Sequence, residues 1–283
     1  MAPLTVTDHD RSAAGLMYVY PVVSRRAGGL SIGINLNPNN ACNWRCIYCQ
    51  VPELQRDRAP EIDLPRLADE LRRFLHQVVS GDYLQTEVPE GMRRLNDIAF
   101  SGNGEPTSVA DFAAVVARVT GVMQEFALLG KIRLVLITNG SQMSRKHVQQ
   151  GLAAMAQANG EVWFKMDRAT PEGVVQVNSI HLDPATHLQR LLTCAALCPV
   201  WIQSCWFALD NVAPGEMEQE AFLDWLRQAK AGAGENLRGV LLYGVARPSM
   251  QVEAPRIGRL SAEWLEALAE KIRQIGLDVR VSP

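Results

Sequence analysis

Apolar and polar positions along the 283-residue chain follow two alternating periods. Short apolar runs with a period of two mark strands over residues 30–36, 97–101, 133–139, 162–167, 200–207 and 239–245, with a weaker seventh run at 278–281. Between them lie stretches with a helical period. Asp63 and Pro65 open one whose stripe is Leu67, Leu71, Phe74, Leu75 and Val78, closing near Gly81. Phe112, Val115, Val116 and Val119 form a second stripe. Leu188, Leu191, Leu192 and Ala195 form a third behind Asp183-Pro184, and Trp264, Leu265, Leu268 and Ile272 a last one. Strand and helix in strict alternation predict consecutive βα units around a parallel sheet, an α/β fold.

The parity of the strands says more than their number. Successive side chains point to opposite faces of a sheet, and the face that receives helices must be apolar. In the first run Leu30, Ile32, Ile34 and Leu36 share one face, which leaves Ser31, Gly33, Asn35 and Asn37 on the other; in the fourth, Val162, Phe164 and Met166 oppose Trp163, Lys165 and Asp167. The inner positions are therefore not the branched apolar residues that fill a closed eight-stranded barrel. A lumen shaped to hold a ligand is expected.

Composition narrows the class. Hydrophobic residues make up 47% of the chain, enough for a substantial core, and no repeat or low-complexity linker interrupts the alternation. Residues 30–283 are expected to form one domain, preceded by an N-terminal extension over 1–29. Residues 1–10 include Asp8, His9 and Asp10 with no long apolar stretch behind them, so neither a secretory signal nor a membrane association is expected. Formal charge is −2, with cations in scattered pairs such as Arg25-Arg26, Arg72-Arg73 and Arg93-Arg94, which is not the basic excess of a strong nucleic-acid binder. Six cysteines are too few for a disulfide scaffold and indicate a reducing, cytoplasmic setting.

Three of those cysteines carry the chemistry. Cys42, Cys46 and Cys49 follow the first strand, with three residues between the first pair and two between the second. Thiolates this close can share one soft metal centre: an iron-sulfur cluster, zinc or cuprous copper. Closed structural sites take four ligands, and no other Cys or His lies within twenty residues of the trio, so an open coordination position is the simplest consequence. A zinc knuckle borrowing a distant ligand such as His76, or three buried thiols, are the alternatives.

The spacing, with Tyr48 immediately before the third cysteine, resembles the signature of the radical S-adenosylmethionine (SAM) superfamily. That resemblance implies a partial (β/α)6 TIM-like barrel, open on one side, and one 4Fe-4S cluster on Cys42, Cys46 and Cys49 with an iron left for SAM. It also implies reductive cleavage of SAM to a 5'-deoxyadenosyl radical, an electron donor such as flavodoxin or ferredoxin, and no zinc. Gly102-Asn103-Gly104-Glu105-Pro106, after the second strand, is similar to the family's Gly-Gly-Glu motif. By that likeness Gly104 and Glu105, with Asn103 adjacent, bind the SAM amino group. Read without the resemblance, the segment is a turn whose Glu105 caps the next helix.

Thr138 and Asn139 close the third strand at an Asn-Gly turn and resemble another family segment that reaches the ligand. Lys165-Met166-Asp167 resembles the fourth-strand motif, with Lys165 toward the SAM carboxylate and Asp167 toward ribose or substrate; an internal Lys165–Asp167 pair is the alternative. Gln203, Tyr243 and Arg247 also fall at carboxyl ends of strands, where cofactor or substrate contacts belong. Cys194, Cys198 and Cys205 read as core thiols rather than a second cluster. Gly-Glu-Pro-Thr, Lys-x-Asp and residues 244–248 look most like iron-sulfur oxidoreductases grouped with wyosine-type tRNA base synthases, leaving a small molecule, peptide or tRNA open as substrate. A glycyl-radical-activase-like enzyme or a non-catalytic zinc or iron-sulfur protein are the rival functions.

Overall fold

Residues 15–24 and 28–283 are described by the computed structural model of the chain; of the expected 1–29 extension, residues 1–14 and 25–27, including the Arg25-Arg26 pair, lie outside them. Among the described residues ten strands occur in chain order: β1 (Val19–Ser24), β2 (Gly29–Asn35), β3 (Leu95–Ser101), β4 (Arg133–Thr138), β5 (Gly160–Lys165), β6 (Val200–Cys205), β7 (Ala208–Leu209), β8 (Leu237–Tyr243), β9 (Ile257–Gly258) and β10 (Val279–Ser282). Eight form one sheet in the order β1-β2-β3-β4-β5-β6-β8-β10. β1 is antiparallel to β2 and every later pairing is parallel. Because β1 and β10 end the order without meeting, the curled sheet is a partial barrel with one open side. The weak seventh run is a true parallel strand, β10, alongside β8. The short β7 and β9 pair with each other above the sheet order.

Eight α-helices accompany the strands among the described residues: α1 (Leu64–Leu75), α2 (Tyr83–Thr86), α3 (Phe112–Glu125), α4 (Lys146–Gln157), α5 (Pro171–Asn178), α6 (Pro184–Ala195), α7 (Glu216–Ala233) and α8 (Ala262–Gln274). The expected start signals operate as capping chemistry requires. Asp63 accepts from the Arg66 backbone N–H, and Asp183 from those of Ala185 and Thr186, each ahead of a proline in the first turn. Periodicity did not foretell α4, α5 or α7. Eight residues with Val174 and Val177 on one side are too few to show a period in α5, and α4 is interrupted by Gly151. That glycine is required by packing, since a Cβ there would sit 2.6 Å from the Phe112 ring of α3.

The parity expected for the strands holds. Leu30, Ile32, Ile34, Phe100, Leu134, Leu136, Val162 and Phe164 are fully buried in one core with the stripes of α1, α3, α4, α6, α7 and α8. Burial of each such side chain is worth about 1.5–3 kcal/mol of transfer free energy. The inner face carries a separate apolar layer, Ala99, Val135, Trp163, Trp201 and Leu241. This layer fills mid-barrel and leaves a cavity of about 340 Å³ above it, at the carboxyl ends of the strands. Tyr20 lies across Gly33, its register partner, where a Cβ would come within 2.2 Å of the ring, and its hydroxyl is 2.8 Å from Ser101 Oγ. Among the described residues no helix is long and apolar enough to cross a membrane.

Candidate functional site

Cys42, Cys46 and Cys49 all line the upper cavity, unpaired and partly exposed, on the long connection between β2 and α1. Backbone contacts shape this loop: the Cys42 N–H donates to the Gln55 carbonyl, Gln55 N–H returns to Asn40, and the Cys49 N–H closes a turn on Cys46. Two distant segments then pin it. From α5, the carbonyls of Asn178 and Val177 accept from the Arg45 and Ile47 N–H groups. From the segment after β8, Ser249 Oγ donates to the carbonyls of Ile47 (2.7 Å) and Cys49 (3.2 Å), and Gln251 Nε2 to those of Cys49 and Val51. Arg45 and Glu253 complete the clamp with a two-pronged ion pair at 2.9 and 2.8 Å.

The sulfurs are provided for as thiolates are. Asn178 Nδ2 donates to Cys46 Sγ at 3.3 Å and the Trp44 N–H to Cys42 Sγ at 3.5 Å. Burial nevertheless pushes the Cys42 thiol up to about 12 and the Cys46 thiol up to about 11. Both therefore need a metal's positive charge to ionise at neutral pH. Among the described residues, no three His, Cys, Asp or Glu side chains converge where one metal ion would sit. All three thiols line one cavity, a donor set that suits an iron–sulfur cluster.

The glycine-rich segment after β3 lies against the cysteine loop. Gly102 has φ +129°, and a Cβ there would meet Asn35 Oδ1 at 2.5 Å; at Gly104 it would meet the Ala41 carbonyl at 1.9 Å. Asn35 Oδ1 accepts from the Asn103 N–H, and Asn103 Nδ2 donates to Asn40 Oδ1 at 2.6 Å. Asn103 Oδ1 is left buried without a partner on the cavity wall, an open acceptor for an ammonium group. Glu105 is already committed. Oε1 accepts from both the N–H and the hydroxyl of Thr107 and from Thr138 Oγ1 (2.7 Å), and Oε2 from the Asn139 N–H at 2.7 Å. Burial pushes its carboxyl up in spite of those four donors. Asn139 in turn donates to Asn43 Oδ1 in the cysteine loop (2.9 Å), so Thr138 and Asn139 line the cavity while holding the Gly140 turn.

Lys165 lines the cavity as well, but Asp167 is turned away from it. Fully buried, Asp167 pairs with Lys165 at 3.0 Å and accepts from Tyr48 Oη, Asn178 Nδ2 (2.7 Å) and the Cys205 N–H (3.0 Å). Burial opposes both charges, yet their mutual attraction holds Asp167 below the usual carboxylate range and Lys165 well above its ordinary value. Tyr48, pushed well above 10 by burial and Asp167, stays a phenol, accepting from Lys165 while donating to Asp167. Asp167 thus anchors the cysteine loop through Tyr48 and Asn178. Gln203, Tyr243, Arg247 and Tyr20 complete the cavity wall. Cys194 and Cys198 are buried around α6, away from the cavity, whereas Cys205 lines it and packs in one apolar cluster with Ile47.

The barrel and its cavity can be compared with known proteins. A radical SAM methyltransferase from Sphaerobacter thermophilus superposes on 99% of this chain and 77% of its own with a TM-score of 0.64 at 13% identity. The chain shares the fold of that enzyme. SuiB of Streptococcus suis, solved bound to S-adenosylmethionine, shares that fold over 91% of this chain and 49% of its own (TM-score 0.53, 12% identity), as does the hydrogenase maturase HydG over 89% and 52% (TM-score 0.54, 13% identity). In sequence, 135 residues are 27% identical to the GTPase Obg of Brachyspira hyodysenteriae and 137 residues 25% identical to a UPF0026 protein of Helicobacter pylori. Each match spans 47% of this chain, but only 17% and 37% of those relatives. No family model matches the chain.

Three contributors to this barrel carry no local sequence signal: Asn178, the Ser249–Glu253 clamp and His187. His187, on α6, is fully buried between the rings of Trp44, Phe164 and Trp225. Its Nε2 lies 2.8 Å from the Lys165 carbonyl, which can only accept, so that nitrogen carries the proton. Burial drives its pKa down from 6.5 to about 4. The unfolded chain therefore binds the proton first. Stability is full above the unfolded value near 6.5 and is lost as pH falls through about 4, by about 3 kcal/mol. Denaturant midpoints measured across that range are expected to fall more steeply for the wild type than for His187→Phe; equal slopes would remove His187 as the cause.

Proposed function

We propose that this chain is a radical SAM enzyme in which Cys42, Cys46 and Cys49 hold one 4Fe-4S cluster. When bound, that cluster supplies the electron that breaks a sulfur–carbon bond of SAM and yields a 5'-deoxyadenosyl radical, which abstracts hydrogen from a substrate. The observation that carries this reading is the meeting of three free thiols, the cradle at Gly102 and Gly104, and the orphan acceptor of Asn103 on one cavity wall.

The chain's own groups have distinct tasks. Asn103 Oδ1 accepts from the SAM ammonium, while Gly104 admits the close backbone approach that any side chain would block. Glu105 orients the third-strand turn by holding Thr138 and the Asn139 N–H. Lys165 presents a permanent cation to the SAM carboxylate, kept charged by Asp167 behind it. The Trp163–Trp201 layer closes the floor against water from below.

A flavodoxin or ferredoxin as electron donor and a cytoplasmic setting belong to the same proposal, as does the wyosine-type likeness, with a small molecule, peptide or tRNA as substrate. Nucleotide hydrolysis is not carried over from the GTPase relative. The chain's single Gly-Lys pair, Gly130-Lys131, is followed by Ile132 where a phosphate-binding loop needs Ser or Thr. The test is anaerobic reconstitution with iron and sulfide, reduction, addition of SAM and quantification of 5'-deoxyadenosine. Product is expected; a colourless protein carrying one zinc per chain would overturn the assignment.

A further inference from the structure

A second cavity, of about 450 Å³, is lined by the amino-terminal ends of β3, β4 and β5 and runs along β8 and β10 to Leu242 and Ser282. Barrels ordinarily close the amino-terminal end with apolar side chains, and residues there serve stability. Here the inward positions are charged. Arg133 precedes the inward Val135 by two residues and is the register partner of Asp97, Glu161 precedes the inward Trp163, and Arg280 precedes Ser282 on β10. Two more cations, Arg94 and Lys131, reach the same cavity from the loops that lead into β3 and β4.

Four cations thus face two carboxylates in a chain whose overall charge is −2. The carboxylates are engaged inside the barrel: Glu161 accepts from Trp163 Nε1 at 2.9 Å and lies 3.6 Å from Arg133, while Asp97 accepts from Ser31 Oγ. Arg280 stacks on Trp201 with its guanidinium carbon 4.1 Å from the ring centroid, a contact that fixes its plane and leaves its edge donors for another partner. Fold stability does not call for this excess, because like charges gathered at one mouth repel each other.

We propose that this lower mouth is an anion-binding site for a small molecule bearing a multiply charged phosphate or carboxylate group. Guanidinium forks match the paired oxygens of both groups, and a concave mouth walled by low-dielectric strands concentrates the positive field. Asp97, Trp163 and Ser282 line this cavity and the upper one alike, so the ligand would rest against the floor of the cysteine-lined chamber. The site does not depend on the radical chemistry.

Isothermal titration of the full chain with sodium pyrophosphate, and separately with sodium citrate, tests it. Saturable one-to-one binding that weakens as salt is raised is expected, reduced at least about tenfold in Lys131→Gln/Arg280→Gln. Should loss of the Trp201 stack unfold that variant, Arg94→Gln/Lys131→Gln changes only exposed loop positions and is expected to weaken binding in the same direction. Pyrophosphate binding alone assigns a phosphate ligand and citrate binding alone a carboxylate. Absence of saturable heat with both probes, or variants that bind like the wild type, would overturn the site. Neither outcome bears on whether the reconstituted protein cleaves SAM.

Discussion

Cys46→Ala is expected to abolish cluster assembly and, with it, formation of 5'-deoxyadenosine, while leaving the barrel folded. Cys205 also lines the chamber but is buried in β6, so the loss of Cys46 leaves two of the three partly exposed thiols as protein ligands. The fold should survive because Cys46 lies outside the main core and the loop is held by others: Ile47 in its apolar cluster, Ser249 on two carbonyls, and Arg45 on Glu253. The change in folding stability is expected to stay within about 1 kcal/mol. Asn178→Ala provides the graded comparison. It removes the donor to the Cys46 sulfur but no ligand, and is expected to lower cluster occupancy or product by about 10–100-fold. Iron and sulfide per chain, product yield and a denaturant midpoint separate the cases. A Cys46→Ala protein that retains full iron would show that the trio is not the cluster site.

Asp167→Ala is expected to cost about 3–5 kcal/mol of stability in the cluster-free protein, because it leaves the Lys165 ammonium without its carboxylate in a mostly buried position. Four donors lose their acceptor together: Lys165 Nζ, Tyr48 Oη, Asn178 Nδ2 and the Cys205 N–H. Lys165→Met/Asp167→Ala is expected to recover part of the loss, since no uncompensated charge then remains. Denaturant curves for the two single variants and the double variant measure the coupling. Additive effects would mean that the pair does not act as a unit. Because Tyr48 is tethered to Asp167 and precedes Cys49, the single variant should also assemble less cluster than its stability loss alone explains.

Much of this arrangement follows from local sequence. Two-residue alternation in residues 30–36 and 162–167 foretold which side chains face the lumen, and Ser31, Gly33, Trp163 and Lys165 do line it. The strand assignments missed β1 altogether and overran at some ends: residues 166–167 and 206–207 lie past β5 and β6, although Met166 and Trp206 still pack in the main core. Parity also suggested that Asp167 points into the lumen. Past the end of β5 the alternation no longer applies, and the chain turns Asp167 toward Tyr48 and Asn178.

The sequence by itself determined the βα order, the face each strand presents, and the placing of three thiols and a glycine cradle after the first two parallel strands, since spacing and period are properties of neighbouring residues. Tertiary structure alone decided which polar groups remain available. Glu105, the apparent ammonium partner, is consumed by Thr138 and Asn139, and Asn103 keeps the open acceptor. The clamp of Arg45 on Glu253 joins residues 208 apart, and Asn178 reaches Cys46 across 132. Such pairs follow from how the sheet curls and where the helices leave each loop, a sum of packing contacts with no period along the chain.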